Sequence, residues 1–260
     1  MEVAGDGHLL TGFRSSAKPI QALPAIRARP DLGEVEVAIA CASHLARPEQ
    51  LDAVRLLLAK APAREEELEC GAEPTPLEHN CSGKHAAMLA LCRAEGWESS
   101  GYRLLEHPCQ QAMLAEVASA AEVDAEAIPL GIDGCGVPTF GLTLERMAFV
   151  FSRLERLEGG APAVEAMRRY PELIRGPGSA DTELMRALPG WAAKGGAEAL
   201  LCATSPEGLG IAVKVEDGSG RAVRSAAAAF LRRVGLDPGS LGRVPLENSH
   251  GEIVGELRAS

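Results

Sequence analysis

Apolar positions along the chain switch between two spacings, and the elements they predict follow in order. His8 to Phe13 places apolar residues on both sides of Gly12 and reads as a short strand. After Pro19, Ile20, Leu23 and Ile26 recur at helical spacing. Val35 to Cys41 is a β-branched, alanine-rich apolar run, equally a buried strand or a core helix, ending at Ser43-His44. Pro48 at a first-turn position opens an amphipathic helix through Leu51, Val54, Leu57 and Leu58. A Glu-, Pro- and Gly-rich loop from about Ala63 to Glu78 leads to Asn80–Lys84, and a helix with Met88, Leu89 and Leu91 on its apolar side follows.

Further helices are predicted over His107–Ala121, Leu142–Leu157, Ala163–Tyr170 and Asp181–Leu188. Between the first two lies the turn-forming, glycine-dense segment Gly131–Pro138. The last quarter changes character. Ala199–Ala203 and Gly210–Val215 read as a hairpin, Ala222–Val234 as an alanine-rich helix, and Glu252–Leu257 as a final strand. Strands thus gather at both ends with helices between them. That order predicts an α+β protein: one domain over 1–260, with a mainly antiparallel sheet built from both termini and flanking helices. A helical region of roughly 83–190 is inserted between the sheet-forming ends.

Composition narrows the chemistry. The 36 acidic residues outnumber 26 basic ones, giving a net charge of −10, which argues against a nucleic-acid or anionic-membrane partner. No N-terminal leader pattern and no bilayer-length apolar run is visible. Seven cysteines spread thinly over 260 residues fit reduced thiols in a cytoplasm better than a disulfide framework. Only five of the basic residues are lysine: Lys18, Lys60, Lys84, Lys194 and Lys214. Arginine cannot act as a titrating amine, whereas a buried lysine can. Each lysine is therefore a candidate for work that needs a neutral amine.

Ser15-x-x-Lys18 has the spacing by which a lysine amine on the same helical face reaches a serine hydroxyl and removes its proton. The same pattern also describes a capping serine near a surface lysine. Cys81, Lys84 and His85, with Asp133 and Cys135 farther along, suggest a metal site of thiolate and imidazole suited to zinc. Buried structural cysteines are the plain alternative. Asn80–Lys84 lacks P-loop spacing, which excludes that mode of nucleotide binding. Lys214 stands within a β-branched strand before an acidic turn, either as the polar member of an alternating strand or as a base facing a site.

Arg14-Ser15-Ser16-Ala17-Lys18-Pro19, Cys41-Ala42-Ser43-His44, Asn80-Cys81-Ser82-Gly83-Lys84-His85, Asp133-Gly134-Cys135-Gly136-Val137-Pro138, Asp181-Thr182-Glu183 and Gly208-Leu209-Gly210 through Lys214–Gly218 occur in that order. In this the chain resembles the asparaginase II family, the thermolabile type first associated with rhizobia. The resemblance implies a fold similar to serine β-lactamases and glutaminases, and hydrolysis of L-asparagine to aspartate and ammonia. It also implies two Ser–Lys pairs, Ser15 with Lys18 and Ser43 with Lys214, with Arg14 lining the site. The implied zinc ligands fall on Cys81, Lys84 and Cys135, with His85 and Asp133 beside them and facing the substrate. A homodimer is implied as well. The family has glycine within the segment where this chain has Leu45-Ala46-Arg47, and its loop before Asn80 is longer.

Two rivals remain at this level. A glutaminase or another SxxK acyl hydrolase is one, since a single methylene is worth only about 1–3 kcal/mol of discrimination. The Ser-Asp-Asn and Lys-Thr-Gly motifs expected of a β-lactam hydrolase are missing. A non-catalytic, zinc-binding ligand sensor is the other.

Overall fold

In the computed structural model, which describes residues 2–259, β1 (Leu10–Gly12) pairs antiparallel with β3 (Pro138–Thr143), Leu10 facing Thr143. On the other edge of β3 lies β2 (Leu130–Ile132), with Leu130 opposite Phe140. Alternate side chains of β3, Phe140 and Leu142 among them, point into the core, as the two-residue period of a strand requires. The helix predicted from Leu142 therefore starts later. Thr143 caps it, its Oγ1 accepting the Arg146 N–H at 3.3 Å, and α7 runs Leu144–Arg153.

A second sheet has the order β4 (Ala192–Gly196), β5 (Leu200–Thr204), β6 (Gly210–Lys214), antiparallel throughout. The β5–β6 hairpin follows the sequence pattern. By contrast β4, Ala-Ala-Lys-Gly-Gly, has no β-branched or aromatic residue to announce it. A two-stranded ribbon of β7 (Val244–Glu247) and β8 (Ile253–Leu257) closes the chain. The α+β class and the antiparallel pairing hold. The strands form three small sheets, however, rather than one sheet drawn from both termini. The N-terminal strand takes its partner from mid-chain, so β2 and β3 interrupt the region read as helical.

Helices α2 (Leu23–Ala28), α3 (Glu34–Ala40) and α4 (Pro48–Lys60) pack against α5 (Ser82–Glu95), while the short α1 (Lys18–Gln21) leads into α2. The Val35–Cys41 run is thus a core helix. Every residue of α5 from Ser82 to Cys92 is buried, the fate of a helix with Ala, Leu and Met on all sides. Gly96 ends it in the left-handed conformation at φ 68°. The remaining helices are α6 (Pro108–Ala121), α8 (Gly160–Arg169), α9 (Pro171–Ile174), α10 (Ala180–Ala187) and α11 (Val223–Arg233). Their buried apolar side chains join one connected core. No helix among the described residues is long and apolar enough to cross a membrane.

Two packing details place the functional segments. A Cβ on Gly83 would lie 2.1 Å from the Ile39 carbonyl oxygen, so the first turn of α5 is pressed onto the end of α3. Beyond that end the chain continues through Cys41-Ala42 to Ser43. The fully buried Gln50 fixes the next stretch: its Oε1 accepts the N–H groups of Leu45 and Arg47, and its Nε2 donates to the carbonyls of Glu172 and Arg175.

Candidate active site

Immediately after β1 the chain tightens into a 3₁₀ turn, Arg14–Ala17, that runs directly into α1. The Phe13 N–H donates to Phe140 O at 2.7 Å and anchors the turn to β3. Arg14 sits at φ 49°, unusual for a residue with a side chain. Ser15 is half-buried, whereas Ser16 is fully buried and its hydroxyl donates to the Lys194 carbonyl at 2.9 Å. The two serines thus divide: one is partly exposed, the other ties the turn to β4.

Lys18 is fully buried, and its amine donates to three oxygens: Ala42 O at 2.6 Å, Ser43 Oγ at 2.9 Å and Asn80 O at 3.4 Å. Burial pushes this amine below its ordinary value, against the attraction of the Cys81 thiol. The lysine bonded to Ser43 is thus Lys18. Lys214 ends β6 half-buried, with its amine on the Val215 carbonyl at 2.8 Å, and no hydrogen bond joins it to Ser43 among the described residues. His44, beside Ser43, accepts the Ala46 N–H at Nδ1, so the proton is assigned to Nε2, which donates to Ser82 Oγ at 2.7 Å. Burial and the nearby Lys18 push its ring down to about 4, so it stays neutral.

Sequence reasoning did not place Lys194 in any motif. It lies on β4, fully buried, with Asp181 Oδ2 3.5 Å from its amine. Asp181 in turn accepts the N–H groups of Thr182 and Gly195. Burial pushes the Lys194 amine down to about 7 in spite of that carboxylate. Its one signal in the sequence is the scarcity of lysine.

The Asp133–Val137 stretch is the turn of the β2–β3 hairpin, closed by Asp133 N–H to Val137 O at 2.8 Å and by Gly136 at φ 82°. It delivers Asp133 and Cys135. Arg14 Nε donates to Asp133 Oδ1 at 2.9 Å, and the amine of Lys84, on the first turn of α5, lies 3.3 Å from Cys135 Sγ. Hydrogen bonding with Cys135 and the nearby Lys18 and Lys84 amines hold the Cys81 thiol well below its ordinary value, although burial opposes them. Cys135, as the other partner, is pushed up by that hydrogen bond and by burial. Burial works to lower the Lys84 amine, but the two sulfurs outweigh it and raise it.

Among the described residues, no cluster of three or more His, Cys, Asp and Glu side chains is arranged to hold a metal. A metal here would rest on the two sulfurs and the Lys84 amine, a soft S₂N donor set compatible with zinc once the amine gives up its proton. His85 lies one residue from Lys84 but turns its Nδ1 to the Tyr102 hydroxyl at 2.8 Å, leaving Nε2 buried without a partner among the described residues. Burial pushes that ring well below its ordinary value.

Arg14, Lys18, Ser43, Cys81, Lys84, Asp133 and Cys135 therefore converge from four separate segments, through direct bonds or shared electrostatics. Comparison with curated proteins finds no match. The model of the L-asparaginase II family matches residues 1–259. The chain belongs to the L-asparaginase II family, whose members are amide hydrolases.

Proposed function

We propose that this protein cleaves the side-chain amide of L-asparagine through a serine ester, with Ser15 as nucleophile and the buried Lys18–Ser43 pair as its proton acceptor. The carrying observation is the 2.9 Å bond between Lys18 Nζ and Ser43 Oγ, in a setting where burial favours the neutral amine. Ser15 Oγ adds to the amide carbon and its proton passes to the Lys18 side. The tetrahedral adduct expels ammonia, which takes that proton. Water then hydrolyses the β-aspartyl ester, giving aspartate and free Ser15. Lys194, held near neutrality by burial, is the second amine of the site in place of Lys214.

Zinc, when bound by Cys81, Lys84 and Cys135, supplies a fixed positive charge and cross-links the first turn of α5 to the β2–β3 turn. The residues of the chain carry every proton in the steps above. Arg14 is suited to the substrate carboxylate, being cationic and partly open to solvent.

One observation favours a second reading, in which Ser43 is the nucleophile: its hydroxyl is the one that touches Lys18. Its burial, at 1% exposure, argues against direct attack. Ammonia release from L-asparagine by wild type and Ser15→Ala tests the proposal, together with mass mapping of a quenched reaction. A β-aspartyl adduct on the Ser15 peptide is expected. An adduct on the Ser43 peptide, or unchanged turnover in Ser15→Ala, sinks the Ser15 assignment.

A further inference from the structure

The β4–β5 hairpin closes through Ala197, Glu198 and Ala199, since Gly196 faces Leu200 in the register. Glu198 and Ala199 both lie at φ 60°, and neither is glycine. A side chain in this left-handed region costs roughly 1–2 kcal/mol. Glu198 reaches Arg14 Nη1 with Oε1, and Arg14 is itself strained at φ 49°. Three strained, non-glycine residues thus meet around one ion pair. Such clustering is a reason to look for function where nothing in the core requires it.

The approach of this hairpin is also built in. A Cβ on Gly196 would stand 2.9 Å from Ser16 Oγ and 3.3 Å from Phe13 O. The end of β4 is therefore pressed onto the turn that carries Arg14 and Ser15, and the loop that follows is held over the same turn.

Arg14 has two carboxylate partners of different character. Asp133 is nearly buried, at 11% side-chain exposure, and also accepts the Gly134 N–H. Glu198 is open, at 57%, and Arg14 is its only ion-pair partner among the described residues. An exposed carboxylate on a rigid turn is free to exchange partners. The substrate of the reading above is a zwitterion at Cα, so its recognition needs one cation and one anion at the rim of the site.

Resting on that reading, we propose that Glu198 binds the α-ammonium group of the amino-acid substrate while Arg14 takes its α-carboxylate. Without substrate the two residues satisfy each other. On binding, their single ion pair is replaced by two, with little net loss. A ligand that lacks the ammonium group claims Arg14 but leaves Glu198 without a cation, and is bound less well.

The test compares L-asparagine with succinamate, which has the same amide and carboxylate but no ammonium group, on wild type, Glu198→Gln and Glu198→Asp. In Glu198→Gln, kcat/KM for L-asparagine is expected to fall about 10- to 100-fold, mainly through KM, since a charged hydrogen bond is lost. Succinamate turnover is expected to stay within about threefold or to rise. Glu198→Asp, which keeps the charge, is expected to recover part of the selectivity. Equal losses on both substrates, or an unchanged KM for asparagine in Glu198→Gln, would overturn the role of Glu198 alone. Absence of ammonia release from asparagine by the wild-type protein would overturn the asparagine reading and this inference with it.

Discussion

The amine of Lys18 donates to Ser43 Oγ at 2.9 Å, and the same amine is held by the carbonyls of Ala42 and Asn80. Three segments thus share one buried nitrogen. Lys18→Met keeps an unbranched side chain as far as Cε and removes the amine, so ammonia release from asparagine is expected to fall about 10²- to 10⁴-fold. The variant leaves the Ala42 and Asn80 carbonyls without that donor, at a cost of about 1–3 kcal/mol, while methionine keeps the slot filled. A cooperative melt about 2–10 °C below wild type, alongside the lost activity, is the expected pair of results. Activity retained within about threefold would remove Lys18 from the mechanism.

Lys194 makes stability depend on pH with a definite sign. Its amine is pushed down to about 7 by burial, against the pull of Asp181, while its ordinary value is 10.5. Between these values the unfolded chain holds a proton that the folded one lacks. Stability therefore climbs as pH rises from about 7 towards 10.5, and below about 7 the cost of a buried charge is complete. The whole effect is of order 5 kcal/mol. Urea denaturation of Lys194→Met across this window is expected to give a markedly flatter profile than wild type, whatever its absolute stability. If the neutral amine also serves turnover, wild-type kcat/KM rises through about pH 7 and the variant lacks that limb. Parallel stability profiles in the two proteins would refute the assignment.

Much of this was open to sequence reasoning, because some elements carry their own signal. The unbroken Ala, Leu and Met run after Lys84 has nowhere to go but the interior, and the Pro206–Gly210 turn between apolar runs closes a hairpin. The pairing of amine to hydroxyl was not open in this way. Ser15-x-x-Lys18 spacing speaks only of neighbours on one turn, whereas Lys18 meets a loop 25 residues away. That contact depends on how α3 and α5 pack, and neighbour spacing does not encode it. Lys194 escaped for a related reason. Its strand has only alanine and glycine around it, and its importance comes from burial beside Asp181.

Gly83 links packing to the site. A Cβ there would meet the Ile39 carbonyl oxygen at 2.1 Å and its carbon at 2.9 Å, both backbone atoms that cannot swing aside. Gly83→Ala must push α3 from α5, at a cost of about 1–3 kcal/mol or more. Since α3 leads to Ala42 and Ser43 and α5 follows Asn80, the same shift disturbs the three oxygens that hold the Lys18 amine. Urea denaturation is expected to show the lost stability, and the folded fraction should turn over asparagine more slowly. Wild-type stability in Gly83→Ala would show that the two helices can part freely.

The sulfurs of Cys81 and Cys135 and the amine of Lys84 join α5 to the β2–β3 turn, so a metal held there acts as a cross-link. Purified protein is expected to carry about one zinc per chain, as an S₂N donor set of this kind can hold. Cys81→Ser and Cys135→Ser each remove one soft donor and should lower both zinc content and melting temperature. A chelator should bring wild type down towards the variants and leave the variants where they are. Elemental analysis and thermal melts on the same samples read both effects. Sulfur binds zinc as thiolate and lysine binds it only as the neutral amine, so uptake releases protons and retention weakens as pH falls. Zinc content that is equal in wild type and both variants would place the metal elsewhere in the chain.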